Sequence, residues 1–373
     1  MHAPQPTTSK LHRLGRYLLQ LGLCLLAGAL LGSLIILAVG SSPLEVYSVL
    51  FREAFLRSGG LMIMVQRATP LILSAAAAVV AFQAGAINTG LAGQFLVGTA
   101  VAAMAGYALA LPKPLHIAAI LILCGLGGAG AAFIPAIFRR LSGVSEVITG
   151  IIANLLMSPL LGIITGSIPA LRAAQAGASQ SGIRESAQLP QFSELTHGAL
   201  GAGSKANLGF FVAIAIVIAL AIWMRRSTLG YAIRMSRANS AFAEFAGIDP
   251  TRCFFLGMML SGAIAAMAGA TEILGIWRGY RMGTVEVGDQ GLVLALVGGQ
   301  SYIGSLLAAL AYGGLEAGGL NVAWSTPIPK ALIDILVQLL VISAALPSMR
   351  SFFTSGGLSD TELLGGRFIR RRQ

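Results

Sequence analysis

The chain alternates long apolar stretches with short polar breaks, the pattern of a protein built from buried or lipid-facing helices. A helix needs about 20 mainly apolar residues to cross a hydrocarbon core. Stretches approaching or exceeding that length run over 17–39, 61–82, 95–111, 115–138, 147–168, 208–224, 254–276, 303–320 and 331–346. The first is longer than a signal-peptide core and lacks a small-residue cleavage site, so it reads as an anchored span. A tenth stretch, 291–299, is too short to cross alone and runs into the break Gly298-Gly299-Gln300-Ser301. It reads as a tilted short helix or a re-entrant piece enclosed by protein, and parity counts it as a crossing. Over 42–57, Leu44, Tyr47, Leu50, Phe51 and Phe55 recur at helical spacing and predict an external helix lying on the membrane surface.

Ten crossings put both termini on one side. That side carries Lys10, Arg13, Arg16, Arg139, Arg140, Arg225, Arg226, Arg234, Arg237, Arg252 and the basic C-terminal end, and the pairs Arg139-Arg140 and Arg225-Arg226 abut span ends. Cytoplasmic loops hold such an excess, so both termini are expected inside. The fold class is an all-α polytopic membrane protein of about ten transmembrane helices. One transmembrane domain covers 1–373, with cytoplasmic tails at 1–16 and 350–373, a membrane domain at 17–349, an external loop at 169–207 and a cytoplasmic loop at 225–252.

Composition sharpens this. Only 10% of residues are charged and mean hydropathy is +0.81, against about 25% charged in soluble chains, which excludes a soluble domain. The net charge of +11 is mostly topology and needs no nucleic-acid partner. Cys24, Cys124 and Cys253 lie in apolar stretches and read as small core residues, with no metal ligand set. The four histidines are dispersed, and no nucleophile elbow, zinc motif or phosphate loop is present, so no catalytic residue and no ATP site are assigned to this chain.

Polar residues within spans are costly in lipid and face a bundle interior or an aqueous path. Gln66, Arg67, Gln83, Asn88, Gln94, Asn154, Glu272, Glu316, Asp334 and Gln338 form that set, and Arg67, Asp334 and Gln338 could also pair with one another. The glycine-rich run 85–94 interrupts two spans, and a similar interruption, 283–299, stands at the corresponding place in the second half. Spans two to five start from outside and spans seven to ten from inside, the arrangement of an inverted repeat. Gly28 with Gly32, and Gly262 with Ala266 and Ala270, suit close helix packing.

In the cytoplasmic loop, Asn239 can cap a helix running to Ala246, and Gly247 and Pro250 can stop it. A short helix presenting Phe242 and Phe245 is suited to docking in a partner's groove.

The run 230–275, above all the segments 240–248 and 259–270, closely resembles the permease subunits of ABC importers for simple sugars, nucleosides and branched-chain amino acids, the nucleoside branch most of all. The segments 69–73, 88–94 and 291–299, with Glu146-Val147-Ile148 and Asn154, resemble it too. The chain departs from the family pattern at Ala92, where a glutamate is usual, and at Tyr302, where a proline is frequent.

The resemblance implies a type II importer-like permease in a bacterial cytoplasmic membrane. Its partners would be a second permease, alike or related, ABC ATPase subunits that bind ATP and Mg, and an external solute-binding protein, with lipid around the spans. It makes Asn239, Ser240, Phe242, Glu244, Phe245 and Gly247 the coupling helix that contacts the ATPase. A neutral solute such as a nucleoside would then pass a polar path formed by Phe82, Asn88, Gln94, Asn154, Glu272 and Trp277. The alternatives are the same machine carrying a sugar, or an ion-coupled transporter using Arg67, Glu272, Glu316 and Asp334.

Overall fold

The computed structural model describes residues 10–175, 182–200, 203–281, 286–326 and 328–354. The two tail ends, and 176–181 and 201–202 of the external loop, lie outside the described residues. α1 (Lys10–Ala38) is followed by α2 (Pro43–Phe51), which runs into a π-helical turn at Arg52–Leu56, and by α3 (Ser58–Gln83), α4 (Leu91–Ala108), α5 (Lys113–Ser142) and α6 (Glu146–Gly166). The short helices α7 (Pro169–Gln175) and α8 (Phe192–Leu195) lead to α9 (Gly209–Arg226), α10 (Thr228–Ala238) and α11 (Ser240–Phe245). α12 (Pro250–Thr271) continues as a π-helical turn to Trp277, and α13 (Glu286–Val297), α14 (Tyr302–Ser325) and α15 (Lys330–Thr354) complete the chain.

Among the described residues nine helices are long and apolar enough to cross a membrane. The tenth expected crossing is α13. Its 12 residues extend about 18 Å, little more than half of a hydrocarbon core.

The halves are related by inverted packing. α12 packs on α5 as α14 packs on α3; α12 packs on α4 as α13 packs on α3; α4 packs on α6 as α13 packs on α15. The remaining pairs, α3 with α12 and α4 with α13, join the halves at their shared centre. Ala84, just past the end of α3, abuts Gly257 near the start of α12, while Arg67 near the start of α3 lies within electrostatic reach of Glu272 at the far end of α12. α3 and α12 therefore run antiparallel, and the repeats have opposite polarity, as the two glycine-rich breaks suggested.

Because lipid supplies no hydrophobic drive between helices, close backbone approach must hold this bundle. A Cβ built on Gly98 of α4 would stand 1.9 Å from the Ala266 carbonyl oxygen of α12, and one on Gly269 would stand 2.2 Å from the Phe95 carbonyl oxygen. Gly262 approaches Gly128 and Ala132 of α5 in the same way.

Two peripheral segments pack differently from the pattern's suggestion. In α2 and its π-turn the buried positions are Val46, Leu50 and Ala54, while Leu44 and Phe51 are exposed. The buried edge is set by α14, whose Gly318 receives the Leu50 carbonyl, rather than by a flat lipid surface. Residues 182–200 and 203–207 form a cap over the C-terminal ends of α4 and α12. The amides of Ile183, Arg184 and Leu189 bond to the carbonyls of Arg278, Gly106 and Leu274, and the buried His116 ring bridges Ser186 Oγ at 2.8 Å and the Ala105 carbonyl at 3.3 Å.

Gly98→Val is expected to destabilise the bundle by about 3 kcal/mol, the upper end of overpacking costs, seen as a lowered unfolding midpoint in detergent. Gly130→Ala, where nothing lies within 4 Å of the added carbon, is expected to leave that midpoint unchanged or slightly raised.

Candidate functional site

α4 and α13 both begin inside the bundle. Gly288 of α13 lies against the backbone of Leu91 and Ala92 at the start of α4, and its carbonyl accepts a bond from Ser74 Oγ in the middle of α3. Beside this meeting point is an open cavity of about 460 Å³, walled by the first residues of α4, the exposed face of α6 and the first turn of α13. Asn88, Thr89, Asn154, Ser158 and Asp289 are its polar lining, and Leu91, Ile151, Leu155 and Leu292 its apolar lining.

The amides in this wall are engaged in holding the broken backbone. Asn88 Nδ2 donates to Gln94 Oε1 at 2.8 Å and to Ser261 Oγ at 2.9 Å, and its Oδ1 accepts from Gln94 Nε2 and the Gly90 amide, both at 3.1 Å. Asn154 Oδ1 accepts from the Gly93 amide at 2.8 Å while its Nδ2 donates to the Thr89 carbonyl at 2.7 Å. Thr89 Oγ1 in turn donates to the Val147 carbonyl at 2.8 Å. A helix that starts in the bundle leaves its first amides unpaired. Asn88 and Asn154 supply the missing partners from a loop and a neighbouring helix.

The expected path residues thus divide. Asn88 and Asn154 line the cavity, and Gln94, buried outside the lining, bonds to Asn88. Phe82 is buried in the core. Glu272 and Trp277 stand in the π-helical turn that ends α12, where Trp277 Nε1 donates to Glu272 Oε1 at 3.1 Å and the ring carries Arg281 and Lys205 at 4.2 and 5.1 Å. Asp334 pairs with Lys330 at 2.8 Å, and Gln338 and Gln290 both donate to the Tyr312 hydroxyl at 2.7 Å, so neither Asp334 nor Gln338 bonds to Arg67. Sequence reasoning missed Thr89, Ser158 and Asp289. Asp289 is a carboxylate at the edge of the apolar run that begins at Gly291, and that contrast is the signal that would have found it.

The polar loop between α9 and α12 folds as two short helices. Asn239 Oδ1 accepts from the Phe242 amide at 3.0 Å and caps α11, and Gly247, with φ +77°, closes it with the Ile248 amide bonded back to the Ala243 carbonyl at 2.8 Å. Asp249 then caps α12. Ala243 faces inward, whereas Phe242 is 51% and Phe245 91% exposed.

The adjoining α10 reaches the broken helices. Arg237 Nη2 donates to Gln300 Oε1 at 3.0 Å, just past α13, and the Arg237 stem rests on Gly85, just past α3. Tyr302, at the start of α14, donates to Gln83 Oε1 at 3.3 Å on the same side. α13 therefore spans from the loop's support at one end to the cavity at the other.

Residues 59–346 match the family described as the permease component of branched-chain amino acid transport systems. The chain belongs to that family. It is an integral-membrane permease component, a class that associates with ATPase and solute-binding partners. The permease is 30% identical over 327 residues to the guanosine ABC transporter permease protein NupP of Bacillus subtilis, covering 87% of this chain and 91% of that one. It is 31% identical to the nucleoside ABC transporter permease protein NupB of Lactococcus lactis, covering 85% and 88% of the two chains. With the glucose ABC transporter permease protein TsgB13 of Haloferax volcanii the identity is 28%, over 86% and 85%.

An ion pair adds to the backbone bonds that hold the permease's cap. Arg278, itself at φ +53°, directs both Nη atoms to Glu194, and its Nη2 also reaches the Leu189 carbonyl at 3.0 Å. The Arg278 hydrogen bonds, with help from the Gln191 amide, hold the Glu194 carboxyl at about 2, against an ordinary value of 4.5. A lowered carboxyl contributes its stability above its unfolded value and loses it as pH falls toward the folded one. Hydrogen exchange across 189–196 is therefore expected to be slow at neutral pH and to accelerate as pH drops from about 4.5 toward about 2, with Glu194→Gln fast throughout once intrinsic exchange is corrected. In the cavity wall, Asn154→Ala leaves the Gly93 amide and the Thr89 carbonyl without their partner. A loss of about 2 kcal/mol or more in unfolding free energy is expected, with Asn154→Asp, which keeps the acceptor, losing less.

Proposed function

We propose that this permease imports a nucleoside by alternating access, powered by ATPase subunits that grip α11. The carrying observation is the continuity of α13, which joins the Arg237–Gln300 contact at the cytoplasmic loop to the cavity at Gly288 and Asp289. A motion imposed on the loop has a rigid element through which to reach the solute. Phe242 and Phe245 are large rings exposed on a capped helix, the form of an anchor that fills a partner's groove. Glu244, beside Phe245, adds a charge to that contact.

The cavity opens alongside α6, whose Ile151, Leu155 and Leu156 are half or more exposed. A second permease subunit packed against this face closes the cavity into a shared path, and lipid covers the remaining apolar surfaces. An external solute-binding protein delivers the cargo at the capped outer face. ATP and Mg belong to the partner ATPases, so this chain is not itself an enzyme.

The nucleoside reading draws on the named cargoes of NupP and NupB, and an uncharged ring bearing hydroxyls suits a cavity with apolar walls and few polar groups. The glucose relative supports a sugar as the second reading. Competition for uptake by unlabelled guanosine or glucose decides between them.

Phe245→Ala is expected to lower ATPase co-purification and ATP-dependent guanosine uptake about thirtyfold, the effect of losing a hot-spot ring, with the permease still present in the membrane. Undiminished ATPase association and uptake would overturn the role of α11. Uptake that persists without ATP and collapses with the proton gradient would overturn the ATP-driven mechanism.

A further inference from the structure

The cavity's polar groups are unequal. Asn88 has both amide hydrogens and its oxygen engaged, Asn154 holds the Gly93 amide and the Thr89 carbonyl, and the Thr89 hydroxyl is bonded to the Val147 carbonyl. Among the described residues Asp289 is the one ionisable group in the lining. Its side chain is exposed in the cavity, and among the described residues it takes part in no hydrogen bond and no ion pair. It stands in the first turn of α13, where the helix dipole favours a negative charge and offsets part of the cost of keeping it away from bulk water. Ile151 and Leu155 of α6 line the same cavity.

We infer that Asp289 is the specificity-determining residue of the cavity, a carboxylate that accepts hydrogen bonds from the hydroxyl or N–H groups of a neutral solute whose flat face rests on Ile151 and Leu155. A carboxylate takes two donors at once, and bonds to a charged acceptor are about twice as strong as those between neutral groups. One such group therefore suffices to orient a passing solute in a wall whose amides are otherwise occupied. The inference rests on the nucleoside reading above, and it assigns to Asp289 a passage step separate from capture by the external solute-binding protein.

The test is ATP-dependent uptake of radiolabelled guanosine by the complete transporter, permease with its ATPase and solute-binding partners, for wild type, Asp289→Asn, Asp289→Ala and Asp289→Glu. The expected result is a maximal rate lowered about tenfold or more in the Asn and Ala variants, the scale of a lost charge-assisted bond. Half-saturation stays unchanged, because the external protein sets it, and the Glu variant keeps most of the wild-type rate. Permease level and co-purified ATPase are expected to match wild type in all four. A full maximal rate in Asp289→Ala overturns the inference, as does an equal loss in Asn, Ala and Glu variants accompanied by loss of the assembled complex. Absence of guanosine uptake by the wild-type transporter, with another cargo carried, overturns the nucleoside reading itself, a result distinct from either of those.

Discussion

Hydrocarbon offers no hydrogen bonds, so a chain that interrupts a helix within the membrane must find partners for the freed backbone inside the protein. The arrangement of this permease follows from meeting that demand twice. At 84–90 the partners are the side chains of Glu146, Asn88 and Asn154, which meet the Ile87 amide, the Gly90 amide and the Thr89 carbonyl. At the start of α13, Gly288 lies so close to α4 that only a hydrogen is tolerated, and its carbonyl is met by Ser74. Each break shields the other, which is why the two half-chains cross there and why a cavity with a few polar groups in its apolar wall exists at that depth.

The same constraint gives the molecule its mechanical character. Helices packed through bare backbone, Gly98 on Ala266 and Gly262 on Gly128, move as a body because there is no side-chain layer to slide. α13 is too short to be gripped along a full span. It is held at its ends, by α4 and α3 near the cavity and by Arg237 through Gln300 near the cytoplasmic loop. Tyr302, where the family frequently has a proline, adds a side-chain bond to Gln83 at that same end.

Much of this was legible in the sequence because apolar length and glycine-rich interruptions are strong local signals. The spans, the paired breaks, the grouping of Asn88, Gln94 and Asn154, and the capped helix after Asn239 could all be read from residue type and spacing. The features that pattern alone did not place have physical causes. α3 is buried almost all round from Ala68 onward, so periodicity could not say which way Phe82 points. Glu272 and Trp277 are five residues apart and meet across a π-helical turn, a spacing that ordinary helical periodicity does not pair. Asp289 escaped notice because the apolar run starts two residues later. The face of α2 was misjudged because its partner is a groove on α14 rather than a plane of lipid. The cap at 182–207 is held largely by backbone bonds, which leave little trace in side-chain pattern.

The central claim is that the cytoplasmic loop and the cavity move together through α13. In a cysteine-free permease assembled with its partners, a single cysteine at Ser158 can be probed with a membrane-impermeant thiol reagent applied from outside, with and without nucleotide trapping of the ATPase. The expected result is a labelling rate that changes severalfold between the two states and ceases to change when Arg237 is replaced by alanine. Equal rates in both states, or a nucleotide response that survives Arg237→Ala undiminished, would contradict it.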